Sequence, residues 1–276
     1  MQRQRSAGAR RGGAEWHRPS TVGSQGKLLG QPVYRLLGGP TSASASSSTL
    51  PVTISTGPRS WASCVQSPAH PLRNGQAGLN LLEEKIAQAR NGRSRRRTDA
   101  QHGHGSYNLT YAVQVAERLR PYRLHWLEEP LIPPDLEGHV ALKRAVPWLP
   151  IATGEDHHGR HAFRQLMEQR CIDVLQPDIN WCGGLSEAVK IYTLGEAAGL
   201  VTIPHGGANN PFGQHFALTF PESPMAEFWL GSDPGVPLAE VCPIPGMAMP
   251  KDGFVAPSDA PGFGLEIPAE WIVPFR

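Results

Sequence analysis

Six side chains able to carry acid–base or metal chemistry recur through the middle of the chain at one interval. Glu128 and Glu129 close the run LHWLEE, Glu155 follows LPIATG, Asp178 ends IDVLQPD, His205 ends VTIPH and Glu227 lies within MAEFW. Counted from Glu128 to Glu155, Asp178, His205 and Glu227, the steps are 27, 23, 27 and 22 residues. Each step is about the length of one strand, one helix and two loops. In a (β/α) barrel the C-terminal ends of all strands converge on one mouth, so residues at this period meet in space although distant in sequence. Any one carboxylate after a strand reads equally well as a helix N-cap or a surface charge. Together they would crowd negative charge at one mouth, and a cation resolves that conflict. Oxygen ligands from neighbouring strands suit a hard ion, Mg²⁺.

The elements that must hold these residues are legible from about residue 106 onward. Short apolar runs, Leu124–Leu127, Leu149–Ala152, Ile172–Leu175, Leu200–Ile203 and Met225–Trp229, alternate with helix-period segments, the pattern of βα units around a parallel sheet. Ala112, Val115, Ala116 and Leu119 fall at i, i+3, i+4 and i+7, and Pro121 follows as a stop. Leu185, Ala188, Val189 and Tyr192 repeat that spacing after Gly183–Gly184, and Gly199 is placed to cap the helix. The fold class is α/β. Upstream the pattern breaks: GKLLGQPVYRLLGG (26–39) and GQAGLNLLEEKIAQAR (75–90) read as ordinary helical sequence, but residues 41–49 are Ser, Ala and Thr and Arg93 to Arg97 form a basic run. Such abrupt changes suggest intervals translated in a shifted reading frame, beside the plainer reading of a tail and solvated loops.

Composition limits the partners. The chain has 276 residues, 26 basic and 24 acidic side chains and a net charge of +2, so no global field gathers nucleic acid or an anionic membrane. Four scattered cysteines without a C-x-x-C pair suggest a reducing compartment, the cytoplasm. No apolar run approaches the roughly 18 residues needed to span a bilayer.

The motifs WLEEP (126–130), GEDHHG (154–159), QPDINWCGGL (176–185), IPHG (203–206), AEF (226–228) and PGFGLEI (261–267) resemble, in this order and spacing, the mandelate-racemase branch of the enolase superfamily. Within it the likeness is to the L-rhamnonate dehydratases. The resemblance implies a (β/α)7β TIM-type barrel over residues 27–256, irregular at 41–74 and 91–98. It is flanked by an unrelated or disordered segment, 1–26, and a C-terminal tail, 257–276, with the capping domain largely missing. It implies a Mg²⁺-dependent dehydratase acting on a small sugar acid, with room for a homo-oligomer. Glu128 and Glu155 match metal ligands, and Asp99 stands for a third. His205 matches the general base, Asp178 its orienting carboxylate and Glu227 the acid across the site, while His157 or His158 would contact substrate. Two other readings remain: an inactive remnant without its lid, and a zinc amidohydrolase barrel built on His102–Gly103–His104, whose H-x-H spacing suits zinc.

Overall fold

The computed structural model describes residues 18–41, 50–56, 71–91, 100–230, 236 and 244–272. Its strands are β1 (Leu50–Thr56), β2 (Ala100–His102), β3 (Trp126–Glu128), β4 (Ile151–Thr153), β5 (Val174–Leu175), β6 (Val201–Thr202), β7 (Ala226–Leu230) and β8 (Phe254–Val255). The helices are α1 (Arg18–Leu29), α2 (Val33–Leu36), α3 (Pro71–Asn91), α4 (Leu109–Leu119), α5 (Leu136–Ala145), α6 (Gly159–Glu168), α7 (Leu185–Ala197) and α8 (Pro211–Thr219). Strands β2 to β6 lie side by side in chain order, all parallel. Strand β1 sits between β7, to which it is parallel, and the antiparallel β8. The two sheets form the expected barrel as two arcs, joined at one side where the Thr202 N–H donates to the Glu222 carbonyl at 2.9 Å.

Strand alternation separates two cores. Leu127, Ile151 and Leu175 pack outward with the helices, while Trp126, Ala152, Val174 and Ile203 form a separate cluster inside the barrel. Helix α4 buries the face its spacing calls for, Ala112, Val115, Ala116 and Leu119, and adds Tyr111. It begins at Asn108, whose side chain accepts from the Tyr111 N–H at 2.9 Å, and stops at the Pro-containing turn Arg120–Tyr122. Helix α7 follows Gly183 and Gly184, both at positive φ, and ends before Gly199 at φ 71°, the left-handed cap its position suggested.

Two boundaries differ from the sequence reading. Helix α1 starts at Arg18, ahead of the boundary at residue 26, and the interval 41–74 contains β1, where the β-branched run Val52-Thr53-Ile54 pairs with β7. Residues 1–17, 42–49, 57–70 and 92–99, and Asp99 with them, lie outside the described residues. The C-terminal tail returns across the N-terminal helices: the Val33 N–H donates to the Gly262 carbonyl at 2.8 Å, and the Gly262 N–H to the Gln31 carbonyl at 2.9 Å. Gly262 and Gly264 hold positive φ in the irregular turn expected there.

His215 is the pin of this junction. It is fully buried in α8, takes the Tyr34 N–H on Nδ1 at 3.1 Å and meets the Phe263 ring edge-on at 5.3 Å. Burial lowers its pKa from 6.5 to about 4, and protonation would turn an acceptor against an N–H. The unfolded chain therefore binds this proton first as pH falls, and stability is lost between pH 6.5 and 4. The loss attributable to His215 is about 3 kcal/mol. Urea unfolding from pH 7 to 4 should show it, with a shallower pH dependence in His215→Gln; an unchanged slope in that variant would count against the assignment.

Candidate active and metal site

The strand ends bring five of the expected residues together. Strand β3 alternates Trp126 in, Leu127 out and Glu128 in, and the Trp126 indole donates to Glu128 Oε2 at 2.7 Å. Glu128 is 4% exposed. Burial first, then the charge of Glu227, pushes its pKa up to about 7 against the opposing indole hydrogen bond. Glu155 follows β4 and is raised to about 8: burial and the charges of Glu129, Glu128 and Asp156 outweigh the attraction of His205.

Across the mouth, Asp178 Oδ2 meets His205 Nδ1 at 3.0 Å, and Asp178 Oδ1 is itself fixed by the Asn180 N–H at 2.8 Å. This leaves His205 Nε2 facing Glu155 Oε2 at 3.3 Å. Burial alone would lower the imidazole pKa, but the hydrogen bond to Asp178 and the charges of Glu155, Glu227 and Asp178 lift it to about 10. Glu227, on β7, accepts the Gly206 N–H at 2.9 Å and so grips the loop that carries His205.

Glu129 belongs to the same cluster, although alternation along β3 would turn it away. Its φ of 41° swings the side chain back, a strained setting for a residue with a Cβ. Oε1 accepts from Thr153 Oγ1 at 3.1 Å and the Gly154 N–H at 3.3 Å, whereas Oε2 is buried and finds no hydrogen-bond partner among the described residues. Glu129, Glu155 and Asp156 each bring a carboxylate oxygen within 4.8 Å of the others.

The end of β2 holds a histidine to which the sequence reading gave no place among the Mg²⁺ ligands. The β2–β3 register places His102 opposite Glu128, so a histidine stands at that strand end, three residues beyond Asp99. His102 Nδ1 lies 3.5 Å from Glu128 Oε1, and Nε2 lies 3.4 Å from Glu155 Oε2. The spacing held this signal: His102 precedes Glu128 by 26 residues, within the period of the other strand ends. The H-x-H pair His102–Gly103–His104 begins at the last residue of β2. His157 and His158 do not join the cluster. His157 is buried against Phe163, and His158 bonds the Trp181 carbonyl through Nδ1 at 3.0 Å with its ring against that indole.

In protein treated with chelator, the His205 imidazole should remain protonated at pH 8, as read from its ring-proton NMR shifts. Asp178→Asn should move that titration down by a unit or more; titration near 6.5 in the parent chain would refute the arrangement.

Comparison with known proteins gives a consistent picture. Residues 81–271 match the sequence profile of the enolase C-terminal domain-like family. A protein of Caldivirga maquilingensis provisionally named L-rhamnonate dehydratase is 35% identical over 268 residues, covering 91% of this chain and 64% of that one. The L-rhamnonate dehydratase of Saccharopolyspora erythraea is 36% identical over 169 residues, 59% of this chain and 42% of that one. Among solved structures, L-rhamnonate dehydratase from Gibberella zeae superimposes with a TM-score of 0.76 at 28% identity, covering 91% of this chain and 65% of that one. The Mg complex of rhamnonate dehydratase from the same organism gives 0.76 at 29% identity, covering 90% and 62%. The chain spans less than two thirds of the length of each of these proteins.

Proposed function

The chain belongs to the enolase C-terminal domain-like family, and from that premise we propose that it is an acid-sugar dehydratase that removes the proton α to a carboxylate and expels the 3-hydroxyl as water. L-rhamnonate, named in its relatives, is the substrate we assign. The observation that carries this reading is His205, anchored at Nδ1 by Asp178 and presenting Nε2 to the centre of a carboxylate cluster.

The residues fit a divalent cation. Among the described residues no hydrogen bond reaches the buried Glu129 Oε2, only imidazole nitrogens at 3.3 and 3.4 Å face Glu155 Oε2, and both carboxyl groups resist ionisation through burial first and the neighbouring carboxylates next. Glu128 and Glu155 would hold the Mg²⁺, with Glu129 and Asp156 adding negative charge beside it. A bound Mg²⁺ supplies positive charge to the dianionic enediolate that loss of an α proton creates.

The chain's own groups account for the rest. His205 Nε2 takes the α proton, because Nδ1 is committed to Asp178 and the resulting imidazolium is stabilised by that carboxylate. Glu155, once its charge is neutralised, holds the proton on His205 less firmly and so frees Nε2 to act as a base. Returned from His205 to the departing 3-hydroxyl, the same proton completes the loss of water, and the enol left behind tautomerises to a 2-keto-3-deoxy acid. Glu227 keeps the His205 loop in place through the Gly206 N–H and adds an acidic group on the opposite side.

His205→Asn should abolish both dehydration and exchange of the substrate C2 hydrogen with D₂O, since both pass through the enediolate; the fall should reach roughly 100-fold or more. Asp178→Asn should cost less, having removed only the partner that orients the ring. Undiminished exchange in His205→Asn would place the base elsewhere. Separately, Glu155→Gln should weaken Mg²⁺ binding measured by calorimetry, and unchanged affinity would remove Glu155 from the metal site.

A further inference from the structure

We propose that His102, His104 and Glu155 form a nitrogen-rich metal site that takes a borderline transition ion of the Zn²⁺ class more tightly than Mg²⁺. The inference rests on the reading that the strand-end cluster holds a divalent cation, and it concerns which ion the site selects.

The ligand atoms converge. Nitrogens of His102 and His104 and an oxygen of Glu155 all lie within 4.8 Å of one another. Each imidazole addresses its own oxygen of the one carboxylate: His102 Nε2 lies 3.4 Å from Oε2, and His104 Nδ1 lies 3.9 Å from Oε1. The rings are stacked with centroids 3.5 Å apart, so their nitrogens are offered side by side.

Two ligands about 2.05 Å from a tetrahedral ion lie about 3.4 Å apart, so imidazole nitrogens 3.4 and 3.9 Å from the two Glu155 oxygens are within reach of one such ion. Ligand chemistry agrees: imidazole suits zinc, cobalt and nickel, while magnesium takes oxygen.

A second group stands behind the first ligand. His102 turns Nδ1 toward Glu128 Oε1 at 3.5 Å, giving the carboxylate–histidine–metal order that fixes a ligand's tautomer and makes its other nitrogen a better donor. The loop that presents both rings is pinned to β3. The Gly103 N–H donates to the Glu128 carbonyl and the Gly105 N–H to the Glu129 carbonyl, each at 2.7 Å. A Cβ at Gly103 would lie 2.7 Å from the Glu129 carbonyl oxygen, so only glycine lets the two histidines follow the strand this closely. The buried, unpartnered Glu129 Oε2 adds negative charge beside Glu155.

Co²⁺ is the probe, titrated into the purified full chain after chelator treatment, with Zn²⁺ and Mg²⁺ titrated in parallel by calorimetry. Strong visible ligand-field bands of four-coordinate cobalt are expected, displaced by Zn²⁺ and untouched by millimolar Mg²⁺. His104→Ala, a change at an exposed position, should weaken Co²⁺ binding by more than the roughly 10–100-fold that loss of a partner behind a ligand costs, while His104→Cys should restore it with a sulfur-to-cobalt charge-transfer band. Weak octahedral bands that neither His102→Gln nor His104→Ala alters would overturn the nitrogen site. If Mg²⁺ still bound and supported C2 exchange, the dehydratase reading would stand without it. Failure of all three ions to bind would overturn both.

Discussion

Negative charge confined at one partly buried mouth is the constraint on which this structure depends. A parallel barrel brings its strand ends together whatever they carry, and here they carry Glu128, Glu129, Glu155, Asp178 and Glu227. Burial raises the cost of ionising Glu128, Glu129 and Glu155, and neighbouring carboxylates raise it again. The protein offsets this cost locally with the Trp126 indole on Glu128, the Thr153 hydroxyl and Gly154 N–H on Glu129, the Gly206 N–H on Glu227 and the imidazole of His205 between Asp178 and Glu155. What these donors leave uncompensated is a demand for positive charge. Acid–base chemistry and ion binding therefore have one origin.

The periodic part of the site was readable from sequence because a barrel turns sequence spacing into spatial position. Glu128, Glu155, Asp178 and His205 each follow an apolar run and take their places at the mouth for that reason, while Glu227 lies within its run, near the start of β7. His102 escaped because its strand lacks the apolar run that marks the others. Its pairing with β3 supplies the order that its own composition does not. Glu129 ends its run beside Glu128 but was given no role, for a different reason. Strand alternation predicts the opposite face, and only a backbone angle rarely taken by residues with a Cβ returns it to the cluster. His157 and His158, neighbours of Glu155 in sequence, turn their rings to Phe163 and Trp181 and stand outside the carboxylate cluster.

Similarity to the enolase C-terminal domain-like family accounts for the fold and for the order of the motifs. The pair of histidines at the end of β2 takes its chemistry from its own geometry beside Glu155. Among the described residues no helix is long and apolar enough to cross a membrane.

The join between the two sheets carries a mechanical consequence. His205 follows β6, the last strand of the five-stranded sheet, and Glu227 lies on β7 in the other sheet. The contact from the Gly206 N–H to Glu227 therefore spans the seam, where the Thr202–Glu222 hydrogen bond supplies the backbone link. Elastic opening of the barrel along this line would separate His205 from Glu227 while leaving Asp178 beside it on the same sheet. The proton-bearing ring is thus hinged on one arc and latched to the other, and the stiffness of the barrel wall becomes part of the acid–base equilibrium at its mouth.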